Sequence, residues 1–208
     1  MKKIVTSILL ALILLVGSIS MGNVEAASRS KKKAYKAYYD WMKSSAAKEY
    51  KKFRLEDLDK DGIPELIALN QERKMTYIDC YMICAFDGTK VNTISLMAGV
   101  AGAGGYRGSS SYIPKKGKIY EYSFHSIGSY EYKTAYTLKK GVFNKKHSLS
   151  MERIYTKGKY KATYKYNNKK INKKKFKSLS KKYFSSNKEK SFEDLKYISK
   201  KKMLKKLK

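Results

Sequence analysis

Alternating aromatic and polar residues mark the middle of the chain. In 159–166 every second residue is tyrosine or alanine, and lysine or threonine stands between them. Aromatic residues recur at the same spacing in 118–125 and 130–138. A period of two is typical of strands with one face buried and the other in water. Turn-forming pairs such as Asp87-Gly88 separate these runs, so the pattern predicts a meandering antiparallel sheet of about six to eight strands.

Helical spacing occurs on both sides of this sheet. Tyrosines and other apolar residues recur every three or four positions in 31–50, which predicts an N-terminal helix that packs on the sheet. Asn172 is predicted to cap a second helix, and Ser191 with Asp194 resembles a capping box for a last helix. The predicted class is therefore α+β, with an N-terminal helix, a meandering Tyr-rich sheet and basic C-terminal helices. The apolar faces of the two C-terminal helices are Phe176, Leu179 and Tyr183, and Leu195, Ile198, Leu204 and Leu207.

The first 26 residues have the three parts of a secretory signal peptide. Two lysines precede an apolar run over 4–16, and a polar stretch ends at Ala26. That run is shorter than the roughly 20 helical residues needed to cross a bilayer, which favours cleavage after Ala26 over an uncleaved anchor. The sequence predicts a signal peptide over 1–26, one domain over 27–190 and a basic C-terminal helix or tail over 191–208. We expect the mature chain to be secreted, with cell-wall association as a further expectation.

The charge of the chain is strongly basic. It has 47 Lys and Arg against 17 Asp and Glu, a formal net charge of +30, and 157–208 hold 21 lysines and three acidic residues. Such a field attracts polyanions and is weakened by salt. Lysine greatly outnumbers arginine, whose planar fork reads bases, so sequence-specific nucleic-acid recognition is disfavoured. We expect an anionic cell-wall polymer or glycan as partner. Two alternative interpretations of the lysine excess are a face that is only solvated and a C-terminal helix that contacts an anionic membrane.

The stretch "DLDKDGIPEL", residues 57–66, carries the most specific chemistry. Counted from Asp57, carboxylates occupy positions 1, 3, 5 and 9, and Gly62 at position 6 allows a sharp turn. Calcium takes about six to eight oxygen ligands, which a short loop can supply from alternate side chains and a backbone carbonyl. The pattern predicts a structural Ca²⁺ site formed by the carboxylates of Asp57, Asp59, Asp61 and Glu65 and by the carbonyl oxygen of Ile63.

The loop departs from an EF-hand. Position 12 is Ala68, where an EF-hand has a bidentate glutamate, and Pro64 would interrupt a following helix. The flanking segments are strand-like, so a strand-loop-strand site is expected. The alternative is a hairpin turn that Asx-type hydrogen bonds fold, with Glu65 directed to water.

With Glu65 at position 9, the loop resembles the strand-loop-strand calcium sites of integrin-type FG-GAP repeats. A wider resemblance covers the Tyr-rich helix, "FRLEDLDKDGIPELIA" and a Tyr-rich meander with "FDGTKV" and "KKGKIY" turns. In this combination the chain is similar to small secreted proteins of Gram-positive bacteria that carry a single DxDxDGIPEL loop. The resemblance implies the architecture and the calcium site, but it implies no activity and no propeller.

The cysteines and histidines give no catalytic arrangement. Cys80 and Cys84 are expected to be buried thiols on one face of a strand over 76–86, too far apart along it for a disulfide. His125 is expected on the polar side of its strand, and His147 lies among lysines. No G-x-S-x-G motif occurs.

An extracellular hydrolase is the alternative function. Glu121 and Glu131 lie on facing strands of a predicted hairpin, either as a carboxylate pair for glycoside cleavage or in ion pairs with lysines, namely Lys133 and Lys118. The Gly-rich stretch 97–111 is expected to be a mobile surface loop, either without function or as a flap that presents Tyr106 and Arg107. A hydrolase would need His125, Glu121 and Arg107 in one pocket. The balance favours a non-enzymatic, calcium-stabilised binding protein, and the sequence does not indicate an oligomeric state.

Overall fold

The computed structural model describes residues 31–72, 77–101, 105–125 and 127–208. The predicted signal peptide over 1–26 lies outside them. Within the described residues the chain forms three α-helices and one antiparallel sheet, which confirms the α+β class. The helices are α1 (31–43), α2 (Lys173–Tyr183) and α3 (Lys200–Lys206), and two short 3₁₀ helices span Ser45–Ala47 and Phe192–Asp194.

The sheet is a meander in which β1 to β10 pair in sequence order, each antiparallel to the next. Two short strands join it later, β12 beside β1 and β11 beside β5. Twelve strands in the described residues exceed the predicted six to eight, because three strands of two or three residues show no alternation and β5 lies mostly in the stretch that was expected to be a loop. The strands are β1 (Lys52–Glu56), β2 (Glu65–Glu72), β3 (Tyr77–Phe86), β4 (Val91–Ala101), β5 (Tyr106–Ile113), β6 (Lys118–His125), β7 (Tyr130–Lys139), β8 (Val142–Thr156), β9 (Lys159–Tyr166), β10 (Lys169–Ile171), β11 (Lys190–Ser191) and β12 (Ile198–Ser199).

The sheet folds back on itself between β4 and β5. These strands pair only from Gly99 to Ala101 and then separate. Side chains complete the hydrogen bonds of β4 where it leaves β5: the Ser110 hydroxyl donates to the Met97 carbonyl at 2.9 Å, and the Met97 N–H donates to the Glu121 carboxylate at 3.1 Å. We call β1–β4 with β12 the first half, and β5–β10 with β11 the second half.

The central core lies between the two halves. Phe192 is fully buried in it, with its ring centroid 4.9 Å from that of Tyr112 and 5.8 Å from that of Tyr81. A large aromatic side chain in contact with both halves holds them together through the apolar area that it buries. The other buried members are Leu58, Ile67, Leu69, Ile83, Ala85, Leu96, Ala98, Ile119 and Leu138.

Helices cover the outer face of each half. Tyr38 and Met42 of α1 and Met203 of α3 are buried on the first half, and the Tyr38 hydroxyl accepts a hydrogen bond from the Phe86 N–H at 3.1 Å. Phe176 of α2 packs on the second half. The predicted cap of α2 is confirmed, because the Asn172 side chain accepts from the Lys175 N–H at 2.8 Å.

Two predicted helices are shorter in the structure. Helix α1 ends at residue 43 and not at 50; the Ser44 hydroxyl there donates to the Trp41 carbonyl at 2.7 Å, and such short polar side chains compete with helical hydrogen bonds. The last helix was expected to begin at Ser191, and α3 begins only at Lys200, so this predicted helix is also shorter than expected. Its apolar residues pack into two separate clusters, with Leu195 in the central core and Leu207 under α1, which one straight helix could not reach.

The expectation of a surface loop over 97–111 is wrong for most of that stretch. Its described residues belong to β4 and β5 except at the connection, and 102–104 lie outside the described residues. Gly99 allows two strands to approach closely. Its φ is 113°, and a Cβ at this position would collide with the carbonyl oxygen of Tyr77 on the neighbouring strand.

Candidate metal centre

The acidic loop connects β1 to β2 in a hairpin. Glu56 pairs with Glu65 at its base, so the strand-loop-strand arrangement is confirmed. Lys60 and Gly62 adopt positive φ angles of 66° and 85°. Glycine adopts this conformation without cost, and these two positions turn the chain back within eight residues.

The loop brings Asp57, Asp59 and Asp61 together. One carboxylate oxygen from each residue lies within 4.8 Å of the other two. Oxygen ligands stand about 2.3–2.6 Å from a calcium ion, so two ligands on opposite sides are about 5 Å apart. The three aspartates therefore fit half of a calcium coordination sphere.

Backbone hydrogen bonds hold the aspartates in this arrangement. The Asp57 carboxylate accepts from the N–H of Lys60 at 2.8 Å and of Gly62 at 3.3 Å, and the Asp61 carboxylate accepts from the Ile63 N–H at 2.8 Å. A loop that Asx turns fold without an ion would form the same bonds. The loop geometry is therefore consistent with both interpretations of the sequence.

Contacts with the second half fix the position of the loop. The Asp59 carboxylate accepts from the Lys140 N–H, in the turn between β7 and β8, at 2.9 Å. The Leu58 carbonyl accepts from the Gly117 N–H at 2.8 Å. Neither partner has a local signal in the sequence, because both are distant along the chain and both bond through the backbone.

Glu65 does not belong to the cluster of three aspartate oxygens. It is buried, with 1% of its surface exposed, and its carboxylate accepts from the Leu58 N–H at 2.8 Å. The expectation that it points to water in an ion-free hairpin is therefore wrong. Its role as a metal ligand stays a prediction, as does that of the Ile63 carbonyl.

Four carboxyl groups lie close together at the loop, and Glu65 is the buried one among them. Burial, with a smaller contribution from the charges of the three aspartates, raises the pKa of Glu65 to about 9, and the hydrogen bond from the Leu58 N–H opposes this rise. Burial also raises the pKa values of Asp59 and Asp61, and the charge of Asp61 adds to the shift at Asp59. Asp59, Asp61 and Glu65 therefore resist ionisation, and a bound cation would offset that cost.

The three residues of the hydrolase alternative are not brought together. Arg107 pairs with Phe124 in the register of β5 and β6, so Arg107 lies on the face opposite to Glu121 and His125. The Glu121 carboxylate bonds the Met97 N–H where β4 leaves β5, and the ring of His125 packs against Tyr130. Both contacts are structural.

Glu121 and Glu131 do not form a carboxylate pair. Glu131 pairs with Phe124 in the register of β6 and β7, and Phe124 and Glu121 point to opposite faces. Glu131 forms an ion pair with Lys133, 2.8 Å from its ammonium, but the expected cross-strand pairing is wrong for this residue. The lysine is two positions along the same strand and not across the hairpin.

The remaining candidates for chemistry have packing roles. Cys84 is a buried free thiol whose pKa burial raises, and Cys80 is half-buried. The ring of His147 stacks on Tyr183 with centroids 3.8 Å apart, and its Nδ1 is 2.8 Å from the Tyr166 hydroxyl. These contacts attach α2 to β8 and β9.

Comparison with known proteins finds no family model that matches the chain and no significant match among curated proteins or solved structures. No helix in the described ranges is long and apolar enough to span a bilayer.

Proposed function

We propose that this protein is a secreted, calcium-stabilised, non-enzymatic binding protein whose lysine-rich face holds an extracellular polyanion, either an anionic cell-wall polymer or a glycan. The observation that carries the proposal is the uneven charge. Residues 157–208 hold 21 lysines and three acidic residues. This segment includes β9, β10, α2 and α3, whose lysines are exposed with few exceptions. A field of this sign and extent attracts polyanions from a distance.

The calcium part of the proposal is supported by the fit of the acidic loop. Asp57, Asp59 and Asp61 would supply three carboxylate oxygens, and the carbonyl of Ile63 and the carboxylate of Glu65 would complete the protein ligands. When bound, the ion would neutralise the acidic cluster. The residues themselves join β1 to β2 and, through the Lys140 N–H, join the loop to the second half.

Secretion is supported by the sequence of the first 26 residues and by the proposed ion. Millimolar calcium is available outside the cell, where a loop of modest affinity would be occupied.

The test of the binding function is retention of the mature chain, from residue 27, on a Gram-positive cell-wall preparation. We expect retention at low salt and release by about 0.5 M salt, because counterions screen charges that are exposed to solvent. A matched wall preparation from which the anionic polymers have been extracted is the control. Retention unchanged in about 0.5 M salt, or equal retention on the extracted walls, would contradict the proposal.

A further inference from the structure

An open groove runs along the outer face of the second half. One cavity of about 500 Å³ lies between α2 and strands β7 to β9, and a second of about 480 Å³ continues it over β6 to β8. Glu131, Lys133, Met151 and Arg153 line both cavities. We call the two together the α2 groove.

The α2 groove is lined by cations in a regular row. Lys173, Lys177 and Lys181 of α2 form one wall. They are four residues apart, so they lie on one face of the helix with a rise of about 6 Å between neighbours. Arg153 lies on the floor of the groove. Among the described residues, none of these four cations forms an ion pair with a carboxylate.

The acidic residue in the groove is already neutralised. Glu131 lies 2.8 Å from the Lys133 ammonium, and that ammonium also donates to the Ser180 hydroxyl at 2.7 Å. Lys133 therefore joins the floor to α2 and holds the wall in place. The charge that remains for a ligand is positive.

Exposed aromatic residues continue the floor beyond Arg153. The last pair between β7 and β8 is Tyr130 with Glu152, so the β8–β9 hairpin projects past the end of β7. Tyr155 and Tyr160 pair across this hairpin with ring centroids 5.1 Å apart, and 63% and 71% of their surfaces are exposed. Side chains alternate along a strand, so Tyr155 lies on the same face as Arg153. Sugar rings pack their C–H faces on aromatic rings, and polyphosphate has no such surface.

We propose that the α2 groove and the Tyr155–Tyr160 pair form one binding site for a linear sugar polymer that carries repeated anionic groups. The lysine row and Arg153 bind the anionic groups, and the tyrosine pair binds a sugar ring. This inference rests on the proposed function and assigns its ligand to one site and one chemical class. The same site would take sulfate, carboxylate or phosphate groups on the sugar chain.

The first experiment measures the affinity of the full mature chain for dextran sulfate, with neutral dextran as the blank. The groove variant replaces three lysines with glutamine (Lys173→Gln, Lys177→Gln, Lys181→Gln). The control variant removes the same charge from the same segment at exposed lysines that do not line the groove (Lys170→Gln, Lys174→Gln, Lys175→Gln). We expect the groove variant to lose about tenfold or more in affinity and the control less than about threefold. Melting temperatures that agree between the variants would show that both fold.

The outcomes separate the inference from the proposed function. Equal losses in the two variants, with binding by the wild type, would overturn the site and leave the proposed function standing. Failure of the wild type to bind any polyanion would overturn both.

The second experiment tests the sugar part of the site. We expect Tyr155→Ser with Tyr160→Ser to weaken binding of dextran sulfate and to leave binding of inorganic polyphosphate unchanged. An equal loss for both probes, or a loss for neither, would overturn the role of the tyrosine pair.

Discussion

The two halves of the sheet differ in how fully helices cover their outer faces. On the first half, α1 and α3 bury Tyr38, Met42 and Met203 to 1% exposure or less. On the second half, α2 covers one part of the face, whereas Tyr155 and Tyr160 beyond it are mostly exposed. The central core already holds the two halves together, so the fold does not need a helix over the outer face of the second half beyond α2. Exposed aromatic surface that a fold does not require is typical of a binding site.

The same difference is visible in the strands themselves. In β3 of the first half, five of the last six residues are buried, from Tyr81 to Phe86 with Met82 the exception, which is typical of a strand packed on both faces. In β9 of the second half, tyrosine or alanine alternates with lysine or threonine, and no residue is fully buried. The first half is built for stability, and the second half combines stability with a charged surface.

The largest expected effect is the loss of the contact between the halves. Phe192→Ala removes a fully buried ring that touches both Tyr81 and Tyr112. We expect the free energy of unfolding to fall by about 3–5 kcal/mol, because the truncation leaves a cavity in the central core. Urea unfolding measures the change. A loss below about 1 kcal/mol would show that the halves are held together elsewhere.

Bound calcium should stabilise the hairpin of β1 and β2 in the first half. An ion that binds only the folded chain raises the free energy of unfolding by about 2.7 kcal/mol when free calcium is about 100 times the dissociation constant. A thermal melt with calcium and with chelator measures this as a shift in melting temperature. Asp59→Ala should abolish the shift.

The matched control for the calcium prediction is Asp87→Ala. Asp87 accepts from Thr89 and Lys90 N–H groups in another turn, at 2.8 and 2.9 Å, and its loss should lower stability while the calcium shift stays. If the wild type shows no shift, the metal site is excluded and the Asx-turn interpretation stands.

The packing of α1 on the first half depends on one buried hydrogen bond. Tyr38→Phe removes the hydroxyl that accepts from the Phe86 N–H at 3.1 Å and leaves that donor buried. We expect a loss of about 1–3 kcal/mol in the free energy of unfolding. Tyr39→Phe, on the same helix and half-buried, is the control, and an equal loss there would contradict the role of the hydrogen bond.

The packing of α2 on the second half should contribute less to the free energy of unfolding than the packing of α1 on the first half. Asn172→Ala removes the side chain that caps α2 through the Lys175 N–H, and we expect a loss of about 1 kcal/mol. Circular dichroism and urea unfolding measure it. Asn172→Asp keeps the cap and should restore most of the stability, so an equal loss in both variants would show that the cap does not stabilise α2.

The smallest effect is a dependence of α2 docking on pH. Burial lowers the pKa of His147, and the positive charges of Lys146 and Lys182 lower it further. The unfolded chain therefore binds a proton at higher pH than the folded chain, so this contribution to stability is present above about pH 6.5 and is lost as the pH falls below it. Melting temperatures at about pH 7.5 and pH 5 test this. His147→Phe keeps a ring over Tyr183 and should reduce the difference; an unchanged difference would assign it to other groups.

Alternation in the sequence was sufficient to predict three strands of the second half, β6, β7 and β9. These strands coincide with the Tyr-rich runs. The expectation of one face in water is wrong for β6, because Ile119 on one face is buried in the central core and Tyr120 on the other face is buried in the cluster with Phe176 of α2. The acidic loop was also recognisable, since ligand spacing and turn chemistry are local. Its aspartates converge as predicted.

Features that depend on contacts between distant residues were not predictable. Glycine and serine over 97–111 suggested a loop, but Gly99 is needed where the Tyr77 carbonyl approaches too closely for a Cβ. Glu121 and Glu131 were predicted to share a face, and the register of β6 and β7 places them on opposite faces. Register is set by the whole meander, and one residue of shift exchanges the faces.

The position of Phe192 along the chain has a consequence for the order of folding. Strands β1 to β10 pair with their sequence neighbours, so each hairpin can form soon after its second strand has been synthesised. The core between the halves is closed by a residue that follows all ten of these strands. A nascent chain that has not yet reached residue 192 would thus present a paired but unclosed sheet, open to chaperones and proteases until its last segment arrives.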